Sequence, residues 1–480
     1  MIFQPVLYII GYLLSTLSII LCIPAAVDAF YGDNQWQPFT FAALISLFFG
    51  ILLILANKSE NFTISIKQAF LLTTLSWIFI ALFGSLPFIF SNLQLSITDA
   101  FFESMSGITT TGSTILSGLD DLPHGILIWR SLLQWIGGIG IIVIAIAFLP
   151  LLKVGGMQLF HTESSDSSEK VLPRAGQIAS IIGLIYLFLT IVCAFLLWFF
   201  GMPTFDSIAH SMTTLATGGF STSDMSIGKY NNSNIEIIIG IFMILGSLPF
   251  VLYLQAIRGN PLVILKDSQV QFFLSLVVIS ILIVTFWKYQ NTASFFNNFR
   301  SSFFNTISIF TGTGYTTQNF NNWGSFIITL FLFLMLVGGC AGSTTCGIKI
   351  FRLQILYQSV KIQIFKLLNP HGVLVAKYNK MPISEAITSS VMGYFFLFII
   401  SYIFFTLILS FLGNDFLTSL SGAATSLANV GPGLGNVIGP TKTFADLSEL
   451  TKWVLIAGML VGRLELLSVI VLLTPAFWRN

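Results

Sequence analysis

Four short segments hold the residue types best suited to chemistry: TTTGST about Gly112, ATGGFST about Gly219, TGTGYTT about Gly314 and ANVGPGLG about Gly431. They carry no charged side chain, so what they offer is oxygen, as hydroxyls and backbone carbonyls. Set in register on their glycines, they share further features. Asp99 and Asp206 stand thirteen residues before the first two, and Met105 and Met212 seven before. Phe101–Phe102 and Phe303–Phe304 precede the first and third, while Glu103, His210 and Asn305 each lie nine before their glycine. An internal fourfold repeat is the economical account. About twelve residues after each aspartate suffice for three helical turns, with the aspartate as cap. Such a helix stops halfway across a bilayer and directs the partial negative charge of its C-terminus at a cation. The Gly/Thr segment then returns in extended form, since glycine permits backbone angles that strain other residues. Four such returns about one axis would present rings of carbonyls able to replace a cation's hydration shell. The candidate ligands are Thr110, Thr111 and Gly112; Thr217, Gly218 and Gly219; Gly312, Thr313 and Gly314; and Asn429, Val430 and Gly431.

The elements that must position these segments are membrane helices. The chain has 480 residues, 55% hydrophobic and 8% charged, against about 25% charged in soluble domains. Its mean hydropathy is +0.89. Many apolar runs reach the ~20 residues that span a bilayer, so an all-α polytopic membrane protein is expected. Two helices come first, near 5–27 and 38–56. Outer helices then flank each Gly/Thr segment: 68–91 and 126–150, 176–201 and 235–257, 270–288 and 325–357 (the latter interrupted), 384–412 and 447–474. That makes ten full spans, organised as a two-helix segment (1–60) and four repeats (61–160, 161–260, 261–370 and 371–480). Fourteen of the 21 Lys and Arg fall on one side of this arrangement and six on the other, with Arg130 near the latter end and Arg463 within a span. The positive-inside rule puts the richer side, and both termini, in the cytoplasm. The N-terminus reads as a retained helix, lacking a basic leader and a small-residue cleavage site.

Other chemistries find little support. Four cysteines (Cys22, Cys193, Cys340 and Cys346) and four histidines are too scattered for a disulfide framework, a metal or a haem. No H-E-x-x-H motif points to an embedded enzyme, and no phosphate-binding glycine motif lies between a strand and a helix. A non-transporting sensor would not require four such segments. Trp129, Trp135, Trp323 and Trp453 sit near helix ends, as interfacial anchors do. The polar block HTESSDSSEKVLPR (161–174) reads as a cytoplasmic linker and partner surface.

Two further features lie deeper. Arg463 stands inside an apolar span, where a charge costs about 2.5–3.5 kcal/mol on insertion scales. It therefore faces a cavity as an electrostatic barrier, or it is structural, capping carbonyls or pairing with an acid such as Glu103. Glu465, two residues on, does not share its helical face. The run VGGCAGSTTCGIK (337–349) interrupts a helix with poor helix material, either as a kink or as an unwound loop. Lys349 and Arg352 follow it and could meet a partner or anionic lipid.

At this point the chain resembles the pore-forming subunits of the Trk/Ktr potassium-transporter superfamily, of the TrkH/TrkG type. The four Gly/Thr segments carry the likeness, together with GGCAGSTTCGIKIFR (338–352) and VGRLELL (461–467). The resemblance implies potassium uptake through one pore surrounded by four unlike repeats, without enzymatic activity. It implies an intramembrane gating loop at Gly338, Gly339, Gly342, Ser343, Thr344, Thr345 and Gly347, with Arg463 near the gate. It also implies a homodimer in the bacterial inner membrane, in contact with lipid, and a cytoplasmic ring of TrkA-like regulatory subunits. Those subunits would hold the nucleotide, so this chain needs no cofactor beyond the K⁺ it moves. No nucleic acid is implied. All four segments keep only the central glycine of the potassium-channel TVGYG filter, so looser selectivity, admitting Rb⁺ and some Na⁺, is expected. The alternative is a symporter coupled to H⁺ or Na⁺, for which Glu103, His210 and Glu465 are the titratable candidates.

Overall fold

The computed structural model describes residues 3–33, 35–58, 65–147, 156, 171–290, 294–372, 374–379 and 381–479. Most of the expected linker, 161–170, lies outside these residues, and Val171–Arg174 open a helix rather than close a loop. In chain order the principal helices are α1 Gln4–Tyr31, α2 Trp36–Ala56, α3 Ile66–Phe90, α4 Ile97–Ile108, α5 His124–Ala147 and α6 Val171–Phe199. They continue as α7 Thr204–Leu215, α8 Ser233–Gly246, α9 Phe250–Ile257, α10 Ser268–Tyr289, α11 Phe295–Phe310 and α12 Ser325–Leu336. The last are α13 Ile350–Leu368, α14 Glu385–Phe411, α15 Phe416–Ala428, α16 Glu449–Arg463 and α17 Leu467–Leu473. Among the described residues, the strands are a two-residue antiparallel pair that aligns Lys377 with Pro382.

Among the described residues, seven helices are long and apolar enough to cross a membrane unbroken. The expected ten full spans need correcting: two are sharply bent, and the third repeat's second span, expected to be interrupted, is divided into α12 and α13 by residues 337–349. Helices α8 and α9 meet at 92°, and α16 and α17 at 116°. At the first break Pro249 lacks the N–H needed to continue the helix. The carbonyls freed there are taken elsewhere: Cys340 N donates to Ser247 O at 3.0 Å and Thr344 N to Gly246 O at 3.2 Å. At the second, Glu465 and Leu466 adopt left-handed backbone, with φ of 59° and 45°, which a helix cannot contain.

Helices α1 and α2 cross closely through small residues, as membrane helices do. A β-carbon on Gly11 would lie 2.8 Å from Gly50 O, and one on Gly50 would lie 2.9 Å from Gly11 O. The chain ends meet, since Phe3 stacks on Trp478 and Lys67 Nζ donates to Arg479 O at 2.8 Å. Two large apolar clusters divide the interior. One joins the N-terminal pair to the first and fourth repeats, and the other holds most of the second and third.

Helices α4, α7, α11 and α15 are 12, 12, 16 and 13 residues long. At 1.5 Å per residue they cover about 18–24 Å, short of the ~30 Å apolar thickness of a bilayer. Neither aspartate expected as a cap, Asp99 or Asp206, is one. Ser96, not Asp99, caps α4, and Pro203, not Asp206, precedes α7. Both aspartates sit one turn in, Asp99 bonded to Ser96 and Asp206 to Thr222. An aspartate that the glycine register did not single out, Asp415, caps α15, accepting from Thr418 N.

Candidate functional site

Each short helix ends in the same way. Thr110, Thr217, Gly312 and Asn429, all two residues before the central glycine, have φ of 54°, 50°, 74° and 52°. Left-handed threonine is strained, because the β-branched side chain crowds the following carbonyl. Hydrogen bonds hold it. Thr111 N reaches Ser106 O and Thr110 N reaches Gly107 O, both at 2.9 Å; Gly218 N and Thr217 N repeat this pattern on Thr213 O and Thr214 O. This is the paired closure that ends helices at a left-handed residue. Gly112, Gly219 and Gly314 are themselves left-handed, with φ of 84°, 78° and 85°, whereas Gly431 is not.

The four segments meet in cyclic order. A β-carbon on Gly112 would overlap Gly218 O, and one on Gly219 would overlap Thr313 O. One on Gly314 would lie 2.8 Å from Gly431 N, and one on Gly431 would lie 3.2 Å from Gly112 O. Side chains tighten the ring, with Ser113 Oγ donating to Gly431 O at 2.8 Å and Asn429 Nδ2 to Thr111 Oγ1 at 2.9 Å. All twelve candidate ligands are thus brought together. On one side of the ring lies a cavity of about 260 Å³, lined by Gly112, Gly219, Gly314 and Gly431 along with Arg130 and Lys442.

In the first three repeats the register position nine before the glycine carries a brace to the returning segment. Glu103 accepts from Ile115 N at 2.9 Å, from Thr114 Oγ1 and from Arg130 Nε at 2.8 Å. His210 Nε2 lies 3.0 Å from Ser221 Oγ. Asn305 donates to Thr317 Oγ1 at 2.7 Å and accepts from Thr317 N at 3.2 Å. In the fourth repeat the role moves one residue, to Ser421, which accepts from Leu434 N at 3.0 Å. Arg130 does not sit at a solvated end. It is buried with Glu103, lies 4.1 Å over the Phe220 ring and donates to Ser221 O. Trp129 likewise is no interfacial anchor, being fully buried and bonded to Gly84 O.

On the other side of the ring, residues 337–349 form a buried unwound loop rather than a kinked helix. Gly338 N bonds Ile348 O and Ile350 N bonds Gly339 O, closing its neck. Gly342 and Gly347 turn it with φ of 74° and 73°, and Ser343, Thr344 and Thr345 are buried within it. Thr344 Oγ1 touches Thr217 Oγ1 at 3.0 Å, joining loop to ring. Arg463, at the C-terminal end of α16, donates to Gly137 O, Thr344 O and Cys346 Sγ at 2.8, 3.0 and 2.9 Å. It therefore does not pair with Glu103. Lys349 and Arg352 are not exposed to a partner or lipid. Both are buried, Lys349 on Thr345 O and Arg352 in an ion pair with Glu465, with the Tyr394 ring 3.7 Å away.

Outside the spans, Asp120 joins Lys229 at 2.7 Å. Partial burial pushes its pKa up, but the bonds from Lys229 and Ser223 outweigh this and hold the carboxyl below its ordinary value.

A sequence model of the family described as "TrkH: Cation transport protein" matches residues 36–479. The chain is 45% identical over 479 residues to the Trk system potassium uptake protein TrkI of Halomonas elongata, covering 99% of this chain and 97% of that one. It is 39% identical over 486 residues to the Trk system potassium uptake protein TrkH of Salmonella typhimurium, covering both completely. The crystal structure of the potassium transporter TrkH from Vibrio parahaemolyticus superposes with a TM-score of 0.93 at 36% identity, again over 100% of each chain. Its polytopic helical fold, its closely knit ring and its full-length relatives make this chain a member of the TrkH family of cation transport proteins.

Proposed function

We propose that the chain is the pore of a potassium-uptake system in a bacterial cytoplasmic membrane, with both termini cytoplasmic. The observation that carries this reading is one left-handed register, at Thr110, Thr217, Gly312 and Asn429, recurring in four segments that meet in cyclic order. The full-length relatives, named for potassium uptake, support it. In this reading the twelve ring residues offer carbonyls to a partly dehydrated K⁺. Each charge moving down 100 mV gains about 2.3 kcal/mol, enough for uptake without a chemical energy source. The loop containing Gly338, Gly339, Gly342, Ser343, Thr344, Thr345 and Gly347 blocks the path below the ring, and Arg463 holds it shut through Thr344 and Cys346. A second copy of the chain, surrounding lipid and a nucleotide-binding cytoplasmic partner belong to the same proposal, argued from the family resemblance. A coupled symporter fits less well, since Glu103, His210 and Glu465 are each tied to neighbouring protein groups.

The test is ⁸⁶Rb⁺ uptake into proteoliposomes holding the purified protein, with K⁺, Na⁺ and Li⁺ as competitors, for wild type and Gly314→Ser. Uptake that K⁺ blocks far better than Na⁺, with the preference lost in the variant, is the expected result. An equal preference in the variant would overturn the role of the ring.

A further inference from the structure

The second repeat departs from its siblings at one position, and the departure has a partner elsewhere in the chain. The residue before the central glycine is Thr111 in the first repeat, Thr313 in the third and Val430 in the fourth, but Gly218 in the second. In the first and third, this threonine bonds another two residues earlier, Thr109 with Thr111 and Thr311 with Thr313, both at 2.8 Å. The second repeat has Ala216 and Gly218 there and the fourth Ala428 and Val430, so both lack this pair, and only the second lacks a side chain beside its central glycine as well.

Gly218 is not needed for its backbone, because its φ is not left-handed. It is needed for space. A β-carbon there would strike the side-chain amide of Gln134, which comes from α5 of the first repeat and is fully buried. That amide occupies the space which the side chain of the equivalent residue takes in the other repeats. Nε2 donates to Gly218 O at 2.6 Å and Oε1 accepts from Phe220 N at 3.0 Å. The orientation of the amide is fixed, since a carbonyl can only accept and a backbone N–H can only donate. One turn earlier on the same face of α5, Arg130 Nη1 donates to Ser221 O at 2.8 Å. Three points along the second segment are therefore held from the first repeat.

We propose that Gln134 is a specificity-determining positioning residue: from the first repeat, it sets the carbonyl of Gly218 in the second quarter of the ring. The inference rests on the reading of that ring as the cation filter. Discrimination between K⁺ and Na⁺ depends on the number and placement of coordinating carbonyls. A carbonyl that an amide holds in place cannot turn inward to follow a smaller ion. Releasing it favours Na⁺ relative to K⁺, by about 3- to 10-fold if the lost restraint is one ordinary buried hydrogen bond.

The experiment measures the ratio of Na⁺ to K⁺ inhibition constants for ⁸⁶Rb⁺ uptake, together with maximal rate and thermal stability. It compares wild type, Gln134→Met and the double variant Gln134→Ala/Gly218→Thr. Gln134→Met should lower the ratio about five-fold, with a smaller change in maximal rate. The double variant puts a sibling's residue into the vacated space and should recover much of the ratio. A folded Gln134→Met with the ratio of wild type overturns the inference. So does failure of both variants to fold, which would make Gln134 a packing residue. A wild type that does not discriminate K⁺ from Na⁺ would instead overturn the uptake reading itself.

Discussion

Replacing Glu103 with alanine removes the acid from an ion pair whose two side chains are 0% and 1% exposed. Breaking a buried pair from one side costs about 3–5 kcal/mol, because the other charge stays buried and uncompensated. Here the stranded guanidinium keeps Ser221 O, Thr114 Oγ1 and the Phe220 ring. A desolvated ring contact contributes up to about 2 kcal/mol, so the lower end, about 3 kcal/mol, is expected for Glu103→Ala. Arg130→Met strands the carboxylate with Ile115 N and Thr114 Oγ1, and a similar cost follows. The double variant Glu103→Leu/Arg130→Met removes both charges and should cost well under the sum of the singles, with a coupling of about 2 kcal/mol or more. Equilibrium unfolding of the purified protein in mild detergent measures all three, each 1.4 kcal/mol being about tenfold in the equilibrium constant. If the single costs add to the double within about 0.5 kcal/mol, the two residues act independently and the brace reading is wrong.

Gly219→Ala and Gly413→Ala impose the same left-handed penalty of about 1–2 kcal/mol, but only the first overlaps a neighbour, at Thr313 O. Gly219→Ala should therefore abolish selective ⁸⁶Rb⁺ uptake, and Gly413→Ala should leave its ion preference intact. Arg463→Gln loses the charge that donates to Thr344 O, Cys346 Sγ and Gly137 O. It should raise uptake in the absence of any partner, read as initial rate in proteoliposomes; an unchanged or lower rate would count against a closing role. The folded carboxyl of Asp120 titrates below its ordinary value. Its stabilising contribution is thus present above about pH 4 and fades as pH falls through the depressed value. Both partners are more than a third exposed, so this contribution is small and screened by salt. Asp120→Asn should slightly flatten the acid limb of the unfolding curve, and high salt should shrink the difference.

The helices and the ring were legible because hydropathy and the glycine register are properties of local sequence. What lay between repeats was not. Glu103 stood out by its register, yet its true partner, Arg130, is 27 residues away on a helix whose end looked solvated. Lys349 and Arg352 looked like boundary charges, but breaks in the helices fold them inward, Arg352 onto Glu465. One break had a visible signal in Pro249. The other, at Arg463–Leu467, has neither Pro nor Gly at its left-handed residues and reads as the continuation of its helix. Gln134 was missed although the doubled glycine of ATGGF, unlike its three siblings, marks where a foreign side chain intrudes.

Because one chain writes the ring four times, each quarter is free to vary alone. In an assembly of four identical subunits, any substitution is copied into every quadrant. A change of about 1 kcal/mol per quadrant then compounds to about 700-fold, against about 5-fold when a single quadrant changes. A ring encoded in tandem can be tuned in small steps that a true tetramer cannot take, and the asymmetry at Gly218 has the form of one such step.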